Sequence, residues 1–212
     1  MTVDPTDSDL VARLAEGDRE ALAVLFRRHQ AAVYRFSRQM LGSREVAEDV
    51  TQEVFVALVN SGHRFDASLG SLTTYLYGIA RNLVWRHIRR RRAHLEIDIA
   101  DVEVEDAAQS ANPAAALSKK QSVDYLRHAI LRLPVHYREA IVLCELNGLS
   151  YEEAARIVGC PVGTIRSRLS RARQLLIDRC RASLHGGAGT EDINDLKSKG
   201  RGRWLIPTKN NC

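Results

Sequence analysis

Apolar residues recur along this chain three and four positions apart, and no strand-length run alternates convincingly. A short helix is expected through Glu16, with Asp7 to Asp9 as N-cap candidates and Gly17-Asp18 as its break. From about Arg19 to Leu41, Leu22, Leu25, Phe26, Ala32, Val33, Phe36 and Met40 mark the inner face of a longer one. Gly42 ends it and Ser43 starts the next, with Val46, Val50 and Ala57 on one side and Glu48, Gln52 and Phe55 on the other. The far end of that helix, VFVALV, is apolar nearly all round, which predicts packing on two sides. After a non-helical link at 62–70, Ser71 caps a helix to about Arg92 whose core stripe reads Leu72, Leu76, Ile79 and Leu83.

The pattern lapses between 93 and 116, where acids, small residues and one proline carry no sustained apolar face. This stretch reads as a flexible acidic linker. Periodicity returns near Leu117: Leu126, Ile130 and Leu133 mark one helix, Pro134 interrupts, and Val135 to Leu146 forms another with Ala140, Ile141, Leu143 and Cys144 inward. Asn147-Gly148 ends that helix. Ser150 with Glu153 three residues on forms a capping box for a short helix, which Gly159 stops and Cys160-Pro161 turns into a last one from about Val162. Two short-turned helices, the second rich in Arg, form a helix-turn-helix. The expected fold is therefore all-α: a helical unit at 1–92, a linker at 93–116, a helix-turn-helix unit at 117–184, and a largely disordered tail at 185–212.

Charge sharpens this picture more than composition does. The 212 residues hold 31 Lys plus Arg against 26 Asp plus Glu, a net +5, so the chain is only mildly basic. The Arg residues cluster at 86–92 and 166–173, and a basic patch rather than a basic total is the footprint expected for nucleic acid. Cys144, Cys160, Cys180 and Cys212 show neither a disulfide framework nor metal-ligand spacing, which points to reduced thiols and no metal site. No apolar run approaches the roughly 18 residues of a membrane span, and the N-terminus, MTVDPTDSD, is unlike a signal peptide.

Two faces carry candidate chemistry. On the last helix, Ile165, Leu169, Ala172 and Leu176 fall on one stripe at helical spacing. The opposite arc bears Thr164, Ser167, Ser170, Arg171 and Gln174, flanked by Arg166, Arg168 and Arg173. Such a face can enter the major groove, with side chains on base edges and phosphates, or it can be an ordinary solvated basic surface. On the 71–92 helix, Tyr77, Arg81, Trp85 and Ile88 share a side, with Tyr75, Asn82 and Arg86 on its shoulder. Aromatic faces beside cations hold unstacked bases. Equally, Tyr77 and Trp85 could pack against the preceding helices.

Four motifs in order resemble an extracytoplasmic-function (ECF) sigma factor of the sigma-70 family: AEDVTQEVF at 47–55, SLTTYLYGIARN at 71–82, LPVHYREAIVLCELNGLSYEEAA at 133–155 and CPVGTIRSRLSRAR at 160–173. The resemblance covers about 9–92 and 117–184. It implies that the 47–55 helix docks on the clamp helices of the largest catalytic subunit of core RNA polymerase. Glu48, Asp49, Gln52 and Glu53 would be polar contacts there, and Phe55 either an anchor or core. It implies that 64–92 reads the −10 promoter element and traps an unpaired base, through Arg64, Tyr75, Tyr77, Arg81, Asn82, Trp85 and Arg86, with Arg89 and Arg90 on phosphates. The 162–174 helix would read the −35 element through Thr164, Arg166, Ser167, Arg168, Ser170, Arg171 and Gln174, with its unit on the flap of the second catalytic subunit. Tyr75 stands where the family often has Trp, and Arg86 where an acid is frequent. The resemblance further implies a cytoplasmic protein with an anti-sigma factor as partner and no cofactor.

The alternative is a conventional helix-turn-helix regulator working without polymerase, which accounts for 146–176 but not for the 47–55 motif or the aromatic-basic helix. An enzyme acting on nucleic acid is disfavoured: His29, His63, His87 and His94 are scattered, and the chain offers no clustered His/Asp/Glu constellation, phosphate-cradling Gly loop or metal-ligand spacing.

Overall fold

A computed structural model describes residues 4–97 and 114–185; the acidic linker between them and the tail lie outside the described residues. In order come α1 (Asp7–Ala15), α2 (Arg19–Leu41), α3 (Arg44–Ser61), a 3₁₀ turn (Gly62–Arg64) and α4 (Leu72–Ile97). The second group is α5 (Ala114–Leu131), α6 (Val135–Ile141), a π turn (Val142–Leu146), α7 (Tyr151–Val158) and α8 (Val162–His185). Among the described residues there is no strand, and the fold is all-α.

Local signals account for most helix ends. Asp18 caps α2 by accepting from the backbone N–H groups of Glu20 and Ala21, and Gly42 closes it in the left-handed region, φ 78°. Ser43 caps α3 through the Val46 N–H at 3.3 Å, and the Ser71 hydroxyl accepts the Thr74 N–H at 3.2 Å. At α1 the cap is Thr6, one residue before the expected acids: its hydroxyl accepts the Asp9 N–H, and the Asp9 carboxylate accepts the Thr6 N–H in return. That exchange holds the exposed Asp9 carboxyl below the usual range, through its Thr6 hydrogen bonds. α4 continues five residues past Arg92, because Ala93, Leu95 and Glu96 favour helix and nothing at 93–97 breaks it. The helix after Pro134 loosens at Val142 into a wider turn, in which the Asn147 N–H reaches the Val142 carbonyl at 3.1 Å.

The two helical units are packed on each other. Leu25, Phe36, Leu76 and Tyr77 belong to the same buried cluster as Val142, Leu143, Ala154 and Ile157. Polar contacts cross the seam: Asn147 Nδ2 donates to Gln39 Oε1 at 2.8 Å and Arg138 to the Met40 carbonyl at 2.6 Å. This seam turns the buried side of α4. Leu72, Leu76, Tyr77, Ala80 and Val84 are buried, whereas Ile79 and Leu83, expected in the core stripe, are only half-buried. The second unit covers a side that periodicity had left to solvent.

Candidate nucleic-acid interface

The helix-turn-helix is built from short-range rules. The Ser150 hydroxyl accepts the Glu153 N–H at 3.1 Å and the Glu153 carboxylate accepts the Ser150 N–H at 2.9 Å, starting α7. Gly159 ends it at φ 72°, ψ 43°, donating its N–H to the Ala155 carbonyl at 2.8 Å. The Pro161 carbonyl then accepts the Thr164 N–H at 2.9 Å and launches α8. Ile165, Leu169 and Ala172 are buried beneath α8, so its far side points outward. Arg166, Ser167, Ser170, Arg171 and Gln174 are exposed there; Thr164 and Arg168 are half-buried. Ser167 donates to the Thr164 carbonyl at 3.0 Å and Gln174 to Asp178 at 2.9 Å. Arg173 pairs with Glu145. Neither Arg166 nor Arg171 has a partner among the described residues.

The residues expected on the 64–92 segment divide in two. Arg64, Asn82, Arg86, Arg89 and Arg90 are exposed. Arg86 pairs with Glu53, the residue expected to meet polymerase, and His87 lies 3.9 Å from the same carboxylate. Tyr75 is half-buried, its ring 5.6 Å from Phe65 and its hydroxyl donating to the Ser61 carbonyl at 3.1 Å. Tyr77, Arg81 and Trp85 instead turn into the seam. Tyr77 is 2% exposed, its ring 5.3 Å from that of Phe36 and tilted 49° to it, with its hydroxyl donating to Asn147 at 3.2 Å. Burial raises the pKa of its phenol. Arg81 Nε and Trp85 Nε1 both donate to one oxygen of Glu139, each at 2.7 Å. The Arg81 guanidinium also lies 5.9 Å from the centre of the Trp85 ring.

On α3, Glu48, Asp49 and Gln52 face outward and Glu53 is half-buried. Phe55 is 5% exposed and meets Phe26 edge-on at 4.8 Å, so of its two readings the structure supports core. The apolar side chains left on the outer surface of α3 are Val56 and Val59, which the sequence reading had not separated from the rest of VFVALV. Glu139 was missed altogether. It is wholly buried, yet an acid beside Arg138 reads as a surface pair, and nothing in its neighbourhood signals burial.

The family model for sigma-70 region 2 matches residues 25–94, and that for sigma-70 region 4 matches 124–176. A probable RNA polymerase sigma-C factor of Mycobacterium bovis is 35% identical over 195 residues, covering 84% of this chain and 95% of that one. The chain belongs to the ECF sigma factors of the sigma-70 family. As a sigma factor it is a DNA-binding protein that directs transcription initiation from promoters. The ECF sigma-E factor of Escherichia coli K12 is 33% identical over 183 residues, with 83% and 95% of the two chains covered. Among solved structures, CnrH in complex with the cytosolic domain of CnrY superposes with a TM-score of 0.63 at 26% identity, over 83% of this chain and 97% of that one. The sigma factor RpoE of Bartonella quintana, crystallised with the anti-sigma factor NepR, gives 0.60 at 26% identity, over 75% and 96%. No helix among the described residues is long and apolar enough to cross a membrane.

Proposed function

We propose that this sigma factor holds two promoter elements while mounted on core RNA polymerase, α8 reading the −35 element as duplex and α4 holding the opened −10 element. The observation that carries this is the outer face of α8, where Arg166, Ser170 and Arg171 are exposed and have no partner among the described residues, over a buried Ile165–Leu169–Ala172 stripe. Arg in that setting can bind guanine edges bidentately, and the flanking cations and backbone N–H groups hold phosphates. Thr164, Ser167, Arg168 and Gln174 complete this face. Arg64, Tyr75, Tyr77, Arg81, Asn82, Trp85 and Arg86 form the −10 site, with Arg89 and Arg90 on the backbone. Capturing a base that has left the duplex offsets part of the cost of melting, as in base-flipping enzymes.

Core polymerase docks on α3 through the clamp helices of its largest subunit. Glu48, Asp49 and Gln52 supply polar contacts, Glu53 joins once released from Arg86, and Val56 and Val59 take the anchoring part that Phe55, being core, does not. The 117–184 unit sits on the flap of the second catalytic subunit, and the 93–116 linker spans between the units. An anti-sigma factor is a further partner, since one structural relative, the sigma factor RpoE, was solved with its anti-sigma factor. The protein acts by binding rather than by catalysis, in the cytoplasm where polymerase works. Run-off transcription with purified core enzyme tests the proposal: correctly started RNA requires the added chain. RNA from the same sites without it, or no association with core enzyme, refutes it.

A further inference from the structure

The outer face of α3 changes character along its length. Glu45, Glu48, Asp49, Gln52, Val56 and Val59 are all exposed, and at helical spacing they fall within one arc of about 100°. The acids stand at the N-terminal end of this stripe; Val56 and Val59, 60% and 49% exposed, stand at the other. Arg44 pairs with Glu48 at 2.9 Å, whereas Glu45 and Asp49 have no partner among the described residues. α3 turns Val50, Val54, Phe55 and Leu58 to the core, so the stripe itself is left bare. Exposed valines taken singly are ordinary, but in line with acids they make a face with an ionic end and an apolar end.

The chain after His185 contains the matching pattern. Lys197, Lys199, Arg201 and Arg203 alternate with Ser198, Gly200 and Gly202, and Trp204-Leu205-Ile206 follow at once. On a helix that alternation would scatter the four cations around the axis. In an extended segment successive side chains point to opposite sides, so all four share one side, about 6.6–7 Å apart. Acids on successive turns of a helix are spaced similarly, at about 5–6 Å. Glu191, Asp192 and Asp195 carry the charge that α3 repels, so the segment that fits starts at Lys197. From His185 to Lys197 an extended chain spans roughly 40 Å, enough to pass around a small domain.

Resting on the polymerase-docking role proposed for α3, we propose that Lys197–Ile206 of the same chain lies along this face and competes there with core polymerase. Its cations meet Glu45, Glu48 and Asp49, and its Trp204–Ile206 block covers Val56 and Val59. A short tether holds the segment at an effective concentration on the order of millimolar, so even a weak contact is populated. The apparent affinity for core polymerase is then reduced by the fraction of chain whose face is free.

The test keeps the full chain. Trp204→p-benzoylphenylalanine is photo-activated without polymerase, and its adducts are mapped by mass spectrometry. Adducts should form within one chain, at residues 52–60 of α3. Glu45→Lys with Asp49→Lys should cut their yield about three-fold or more, and adding Arg201→Glu with Arg203→Glu should restore it, because opposite charges again face each other. Adducts elsewhere, adducts joining two copies, or no adducts overturn the proposal, and this result needs no change to α3. Affinity for core polymerase is read by surface plasmon resonance. Arg201→Glu with Arg203→Glu on an otherwise native chain should bind core about two- to ten-fold more tightly than wild type. Unchanged or weaker binding overturns the competition. Val59→Asp in that tail variant measures the α3 reading by itself: weaker core binding upholds it even where the adducts refute the tail contact, and unchanged binding refutes docking on α3 whatever the tail does.

Discussion

Replacing Ser150 by Ala deletes the hydroxyl that accepts the Glu153 N–H at 3.1 Å, one half of the box that starts α7. N-cap serines contribute about 0.5–2 kcal/mol. Two features place this one near the middle, at about 1 kcal/mol. Ser150 is exposed, so water can satisfy part of the orphaned N–H, yet α7 has only eight residues and cannot persist on propensity alone. Glu153→Gln tests the other half. Its carboxyl lies below the ordinary glutamate value of 4.5, first because it accepts the Ser150 N–H, with partial burial opposing. A depressed folded-state pKa means that the contribution of the charge is fully present above 4.5 and is lost as pH falls through the lowered value. The carboxylate also meets the positive end of α7, where a surface charge contributes about 0.3–1 kcal/mol. Urea denaturation should thus show Ser150→Ala losing about 1 kcal/mol at neutral pH. Glu153→Gln should lose less, and its deficit should close in acid. A Glu153→Gln deficit that is constant or widens as the medium is acidified refutes the assignment. A Ser150→Ala loss above about 3 kcal/mol would instead mean that the cap governs docking of the whole helix.

Arg171→Ala should lose about 1–3 kcal/mol at one −35 base pair and relax specificity there, read by competition among duplexes changed one pair at a time; equal weakening across all sequences would make Arg171 a phosphate contact. Leu169→Ala, at a site 1% exposed, should cost about 2–5 kcal/mol by calorimetry, as core truncations do. Cys144, whose thiol burial and then the neighbouring Glu145 push up to about 11, should be alkylated by iodoacetamide later than Cys180 in the native protein, followed by mass spectrometry.

Helix existence and most helix ends were legible in the sequence because their causes lie within four residues of one another. Asp18, Gly42, Ser43, Ser71, Ser150 and Gly159 each act on backbone groups of their own turn, and the Ile165–Leu169–Ala172 stripe follows from helical period alone. The four motifs carried the family by the same local logic. What packs against what was decided only in three dimensions. Periodicity assigns Tyr77, Arg81 and Trp85 to one side of α4, but their partners, Asn147 and Glu139, stand 70, 58 and 54 positions away. An angular position says where a side chain points and not whether another helix waits there, so a helix covered from two directions loses the polar face by which it would be read. For that reason the role of Phe55 stayed open until Phe26 was seen against it, and the burial of Glu139 could not be read at all: a carboxylate enters a core only when distant donors surround it, and the fold alone brings them together.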